Sequence, residues 1–222
     1  MGILDVIGPI MVGPSSSHTA GACRIGLFAK KLLGQRAISA NFFLHGSFSA
    51  TGEGHGTPLA LLAGLMGWSP EDTRIQNAMK IANKSGLDYK FSAQDLGNVH
   101  PNSVMIQLKG KSNKVEVCAS SIGGGQISVW SIDGFAVELN GENPTLLVSC
   151  PDRRGLIASI SSIIAEAQIS IAAMKVHRNI FTGKNMMTIE LDNMPPLSII
   201  DSINNLTNID MVRLISSVFS GT

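Results

Sequence analysis

GPSSSHTAGA, Gly13 to Ala22, is the stretch around which the rest of the chain is organised. It sets Ser15, Ser16, Ser17, His18 and Thr19 in one run, between Gly13-Pro14 and an apolar-periodic segment. Pro14 ends any preceding strand, and one hydroxyl residue can cap the helix that follows. A helix start offers free backbone N–H groups and the positive end of a dipole. With clustered hydroxyls and an imidazole added, it suits a small carboxylate or phosphate. Plain N-capping needs one such residue. Five polar residues in succession exceed that need, so a site is expected here.

Composition bounds the rest. The chain has 222 residues, 44% hydrophobic and 15% charged, with a formal net charge of +1. That supports a packed core in one large or two modest domains and argues against disorder. There is no dense Lys/Arg block, so neither nucleic acid nor a polybasic membrane contact is expected. The apolar stretch Leu59 to Trp68 is too short to span a bilayer. The first residues, MGILDVIGPI, lack a basic secretory start, so a cytoplasmic protein is expected. Cys23, Cys118 and Cys150 stand far apart with no CxxC pair, and no metal site is expected in this chain.

The periodicity predicts a short strand over 4–12, then a helix with Ile25, Phe28, Ala29, Leu32 and Leu33 on one face, ending at Gly34. A strand over 37–44 presents Ile38, Ala40, Phe42 and Leu44 on one side. HGSFSATGEGHGTPLA, His45 to Ala60, reads as a loop whose glycines and hydroxyls bring backbone amides close to a ligand. Helices follow over 58–66 and from Ser69-Pro70-Glu71-Asp72 to Gly86, the second with Ile75, Ala78, Met79 and Ala82 inward. Strands are predicted over 89–92, 104–109, 115–120, 127–132 and 135–139. His100-Pro101-Asn102-Ser103 and Ser121-Ile122-Gly123-Gly124-Gly125 interrupt them. The glycine triplet implies either a bulge or close approach of a ligand.

A boundary falls around 140–144. Beyond it the order is strand 145–150, helix 155–167, strand 170–177, strand 186–191, helix 197–206 and strand 212–218, with Ile157, Ile160 and Ile164 lining the first helix. This βαββαβ order is the ferredoxin-like layout. The fold class expected is therefore α+β: a mixed α/β substrate-binding-type domain over 1–140, then a ferredoxin-like domain over 145–222.

With these pieces placed, the chain resembles the β subunit of the two-subunit, iron–sulfur-dependent L-serine dehydratases (L-serine ammonia-lyases). The residues that carry the resemblance are Gly13–Ala22, HGSFSATGEGHGT at His45–Thr57, HPNS at His100–Ser103 and SIGGG at Ser121–Gly125. PDRRGLIASISSIIAEAQISI, Pro151–Ile171, resembles an ACT domain. The first part is also similar to a regulatory domain of some D-3-phosphoglycerate dehydrogenases. The resemblance implies deamination of L-serine to pyruvate and ammonia, in amino-acid catabolism and gluconeogenesis. It implies activity only with an α subunit whose cysteines hold a [4Fe-4S] cluster, and homo-association through the ACT domain. Two departures stand out: Pro58 where family members more often carry Asp, and Ser103 where Thr is common.

The elimination needs a base for the α-hydrogen and a holder for the carboxylate. His18, His55 and His45 are the candidate proton carriers, since imidazole titrates near the working pH. His18 and His55 are expected nearest the substrate, with His45 orienting the loop. Ser15, Ser16, Ser17, Thr19, Gly46, Ser47 and Thr57 are the expected substrate binders. Asp152 and Gly155 are the expected contacts for a regulatory ligand, or else a simple helix entry. Two other readings stay open: a non-catalytic amino-acid-sensing regulatory subunit, and a metallohydrolase using the three histidines. No carboxylate or HxxxH helix accompanies them to favour the latter.

Overall fold

A computed structural model describes residues 9–179 and 183–219. The chain divides into two compact units, one built from residues up to Gly134 with Glu138–Asn140, the other from Phe135–Val137 and from Gly141 onward. Both mix helices with a sheet, as an α+β chain should.

In the first unit the serine-rich run winds as a π-helical turn, Ser16–Gly21, leading into helix α1, Ala22–Leu33. The predicted stripe of α1 is buried throughout, and Gly34 ends the helix at a φ of 70°. Strand β1, Ser39–Leu44, buries Ala40, Phe42 and Leu44, but Ile38 lies before the strand and is exposed. The glycine-rich stretch is not all loop: a short helix α2, Gly46–Ala50, sits inside it. Helix α3, Thr57–Met66, is apolar on all sides and almost wholly buried. Its neighbour begins later than predicted. Asp72, not Ser69, is the cap, accepting the Arg74 N–H at 2.9 Å, and a 3₁₀ turn Thr73–Asn77 precedes α4, Ala78–Lys84. Met79 faces outward rather than into the core.

Helices α1 and α3 meet backbone to backbone. A Cβ on Gly64 would lie 1.9 Å from the Cys23 carbonyl oxygen, and one on Gly26 would lie 2.2 Å from that of Leu61. Neither carbonyl can move without breaking its helix. The helices cover one face of a six-stranded mixed sheet in the order β2-β1-β3-β4-β5-β6. The remaining strands are β2, Asp88–Ala93; β3, Ser103–Lys109; β4, Lys114–Gly123; β5, Gln126–Ile132; and β6, Phe135–Leu139. The β1–β2 pair is parallel, and β1–β3, β3–β4 and β4–β5 are antiparallel. The glycine triplet resolves as a tight reversal, with φ of 104°, 58° and 79° at Gly123, Gly124 and Gly125. The expected strand over 4–12 falls partly outside the described residues; from Pro9 to Val12 no strand forms.

The second unit contains β7, Thr145–Pro151; α5, Leu156–Glu166; β8, Ile171–Asn179; β9, Lys184–Leu191; α6, Leu197–Asn204; and β10, Met211–Ile215. Its sheet runs β10-β7-β9-β8, with every neighbouring pair antiparallel. Leu156, Ile160 and Ile164 of α5 pack with Ile199 and Ile203 of α6 over Leu146, Val148 and Ile189. Ile157 is half-exposed, so the inward stripe starts one residue earlier than expected. Among the described residues no helix is long and apolar enough to cross a membrane.

Gly64→Ala should overpack the α1–α3 crossing and cost about 1–3 kcal/mol of stability. Urea denaturation of the full chain checks this, and an unchanged midpoint would contradict the crossing.

Candidate active site

His18 occupies the π turn, a helical irregularity that recurs at functional sites. It is 9% exposed, and hydroxyls face both its nitrogens. Ser15 stands just before the turn, where its Oγ accepts the His18 backbone N–H at 3.2 Å and lies 3.4 Å from Nδ1. Nε2 meets Ser47 Oγ at 3.2 Å and Thr51 Oγ1 at 3.3 Å. Thr51 Oγ1 donates to the Ser47 carbonyl at 3.0 Å, so it accepts from its other two contacts. Ser47 Oγ, 3.1 Å away, then donates to Thr51 and accepts from His18. The network therefore assigns the neutral ring a proton on Nε2 and a lone pair on Nδ1 facing the Ser15 hydroxyl.

His55 lies beside it, ring centroids 4.9 Å apart, while Phe48 closes the opposite side edge-on at 5.4 Å. His55 Nδ1 lies 2.8 Å from the Thr51 carbonyl oxygen, which can only accept. Nδ1 is therefore the donor, and in the neutral ring the lone pair is on Nε2 of an exposed side chain. Burial first, and the neighbouring His55 second, push the His18 pKa below the usual histidine value, against a raising contribution from Ser47. His18 thus stays neutral at neutral pH.

The other predicted residues fall around this centre in different ways. Ser16 and Ser17 are half-buried within the π turn. Thr19 and Thr57 are buried, and their hydroxyls have no hydrogen-bond partner among the described residues. Thr57 opens α3, its N–H bonded to the Gly52 carbonyl at 2.8 Å. Gly46 backs against Pro101, where a Cβ would lie 2.6 Å from the carbonyl oxygen. His45 points elsewhere. Its Nδ1 accepts the Leu96 N–H at 3.1 Å, and the Asp95 carboxylate 3.4 Å from the same nitrogen is almost fully exposed. An acceptor nitrogen cannot also donate to Asp95, and the fixed backbone donor decides the tautomer. Thr51 received no role from the sequence; its position one helical turn after Ser47 was the available signal, hidden because α2 itself was not foreseen.

HPNS is the brace for this loop. The Pro101 carbonyl accepts the Ser47 N–H at 2.8 Å and the Ser103 carbonyl accepts the His45 N–H at 3.0 Å. His100 Nδ1 accepts the Asn102 N–H, holding the turn. The SIGGG reversal is tied to α1 by Arg24, whose Nη1 donates to the Gly125 carbonyl at 2.7 Å. In the second unit, the Asp152 carboxylate takes Asn185 Nδ2 at 3.2 Å and lies 3.7 Å from the Arg178 guanidinium.

No group of three His, Cys, Asp or Glu among the described residues could hold a metal ion. Cys23, Cys118 and Cys150 are buried in α1, β4 and β7. Burial pushes the Cys23 and Cys118 thiols up to about 12 and raises that of Cys150. Scattered, protonated thiols do not fit an iron–sulfur cluster.

In an NMR pH titration of the full chain, His18 should titrate below the usual 6.5. His55→Asn removes the neighbouring charge, so the His18 pKa should rise, while burial keeps it from rising fully. A fall, or no change, would refute the assigned coupling.

Residues 3–88 match the family described as "Serine dehydratase beta chain", and residues 144–208 match "ACT domain". A probable L-serine dehydratase beta chain of Bacillus subtilis is 38% identical over 214 residues, covering 96% of this chain and 97% of that one. The L-serine dehydratase beta chain of Peptoniphilus asaccharolyticus is 42% identical over 190 residues, covering 85% and 86%. A D-3-phosphoglycerate dehydrogenase of Synechocystis is 22% identical over 83% of this chain and 34% of its own length. With two relatives alike over nearly their whole lengths, and with the motifs that meet around His18 in place, the chain belongs to the serine dehydratase beta chain family.

Proposed function

We propose that this chain is the β subunit of an L-serine dehydratase, an ammonia-lyase that acts together with an α subunit to release pyruvate and ammonia from L-serine. The carrying observation is the buried His18 with His55 beside it, joined through Ser47 and Thr51. The iron–sulfur cluster this reading requires would belong to the α subunit, since the cysteines here do not fit one.

What this chain supplies is proton handling and carboxylate binding. Exposed, and with its Nδ1 proton held by the Thr51 carbonyl, His55 in its neutral form is placed to accept the α-hydrogen as a proton at Nε2 when serine enters from the open side. The Cα–H electron pair then forms the double bond of aminoacrylate as the C–O bond breaks, and the β-hydroxyl leaves as hydroxide and takes the proton from His55 to become water; aminoacrylate tautomerises to the imine, which water hydrolyses to pyruvate and ammonia. His18 gives its Nε2 proton to Ser47 and Thr51 in a chain that ends on the Ser47 carbonyl, so it fixes the loop beside His55, and holding the two rings 4.9 Å apart disfavours charging both. Ser15, Ser16, Ser17 and the buried Thr19 and Thr57 form the hydroxyl lining for the carboxylate, in a region where helix-start amides favour an anion. His45 holds the loop through Leu96 and stays out of the chemistry.

The ACT unit is proposed to associate with a second copy and to take an amino-acid effector. A cavity of about 710 Å³ lies at the Asp152–Gly155 turn, lined also by Arg154, Arg178 and Asn185. Asp152 is bonded to Asn185 and lies near Arg178, which holds the turn, and its exposed carboxylate keeps acceptor capacity for an ammonium. The assembly is placed in the cytoplasm.

Anaerobic pyruvate formation from L-serine, with this chain alone and with its α partner, tests the reading. Activity should appear only in the mixture. His55→Ala and His18→Ala should each lower kcat by about 10²–10⁴-fold. Full activity of the partner alone, with these variants changing only its serine dependence, would make the chain a regulatory subunit.

A further inference from the structure

Strand β5 carries one residue more than its ladder with β4 can pair. The β4–β5 ladder pairs Cys118 with Ser131 and Ala119 with Val129, so Trp130 is an extra, unpaired residue. Such a bulge costs ladder hydrogen bonds and re-aims a side chain. Here the indole Nε1 reaches Ser120 Oγ at 3.1 Å. Ser120 is 3% exposed and pairs across the strands with the fully buried Ser103, their hydroxyl oxygens 2.7 Å apart. Ser103 Oγ in turn donates to the His100 carbonyl at 2.5 Å.

The direction of every bond in this chain is fixed by its two ends. An indole N–H only donates and a carbonyl oxygen only accepts. Ser103 gives its proton to His100, so it accepts from Ser120; Ser120 gives its proton to Ser103, so it accepts from Trp130. No rotation of either hydroxyl offers an equivalent alternative. The chain ends on the HPNS turn, whose Pro101 and Ser103 carbonyls hold the Ser47 and His45 amides. Ser47 Oγ is the group against His18 Nε2.

We infer that Trp130, Ser120 and Ser103 are positioning residues, a one-way hydrogen-bonded chain that sets the HPNS turn and through it holds Ser47 against His18. For its catalytic consequence this rests on the serine dehydratase reading; its structural content does not. A local Ser103–His100 contact would suffice merely to close the turn. Extending it across β4 to a bulged tryptophan couples the turn to the sheet, which is the rigid part of the unit. Buried hydroxyls linked in this way lose more than one bond when one member is removed, because the neighbours are left unpaired.

The test uses three variants of the full chain. Ser120→Ala removes the middle link, Trp130→Phe keeps the ring and removes the N–H, and Ser120→Thr keeps a hydroxyl. In hydrogen-exchange NMR, the His45 and Ser47 amides should exchange about tenfold faster in Ser120→Ala and Trp130→Phe, with protection restored in Ser120→Thr. Unchanged protection at both amides would overturn the inference. So would equal loss throughout the first unit, which would mean general destabilisation. In the complex with the α subunit, the first two variants should lose about tenfold in kcat with KM changed by less than about twofold. Adding Trp130→Phe to Ser47→Ala should bring no further loss, since both act through the same contact; additive losses would overturn the inference. If the wild-type complex makes no pyruvate, the serine dehydratase reading falls, and the exchange result alone decides the positioning role.

Discussion

The first unit depends on the contact of two helix backbones. Gly26 and Gly64 let α1 and α3 approach until the peptide groups of one lie where a side chain of the other would stand. The π turn with His18 runs directly into α1, and His55 lies two residues before α3. Fixing the two helices against each other therefore fixes where both histidine-bearing segments can lie. A methyl group at either glycine would shift the crossing by ångströms, and the hydroxyl contacts of His18 tolerate only tenths of one. Packing far from the chemistry thus sets the precision of the chemistry.

The fold was legible wherever one physical signal dominated. The apolar stripe of α1 and its Gly34 stop agree with the structure because amphipathic burial and a left-handed cap point to the same end. Strand β1 was readable because its buried residues alternate with more exposed ones. Misreadings cluster where two signals compete. Ser69-Pro70 resembles a helix start, but Asp72 captures the Arg74 amide through its side chain and moves the start to a 3₁₀ turn. Gly46 to Ala50 looked too rich in glycine and serine for a helix. It is helical because the Pro101 carbonyl, distant in sequence, takes the N–H of Ser47. No local propensity can report that partner.

The same division governs the site. Its density of hydroxyls and imidazoles was visible in the sequence, because clustering beyond what a cap requires is a local property. Which atoms meet was not. His18, Ser47 and His55 are brought together by long-range contacts, whereas His45, adjacent to Ser47, is turned toward Leu96. Neighbourhood in sequence separated His45 from His18 no better than it joined Thr51 to it. Trp130 is the extreme case: nothing in a strand-like QISVWSI announces that one residue is surplus to the ladder.

The Asp152 turn of the second unit shows how structure redirects a residue whose type was read correctly. An Asp before Arg-Arg-Gly at a helix entry suits either a cap or an ammonium ligand. It is not the cap. Gly155 at a φ of 83°, not Asp152, is the residue flanking α5. The Asp152 carboxylate is bonded by Asn185, with Arg178 close by, one from β9 and one from β8. Its two oxygens carry about four acceptor sites and the side chain is 56% exposed, so these contacts tie the turn to two strands of the sheet and still leave acceptor capacity for an ammonium. Arg153, Arg154 and Arg178 line the same cavity, so a bound amino acid would meet cations with its carboxylate and Asp152 with its ammonium.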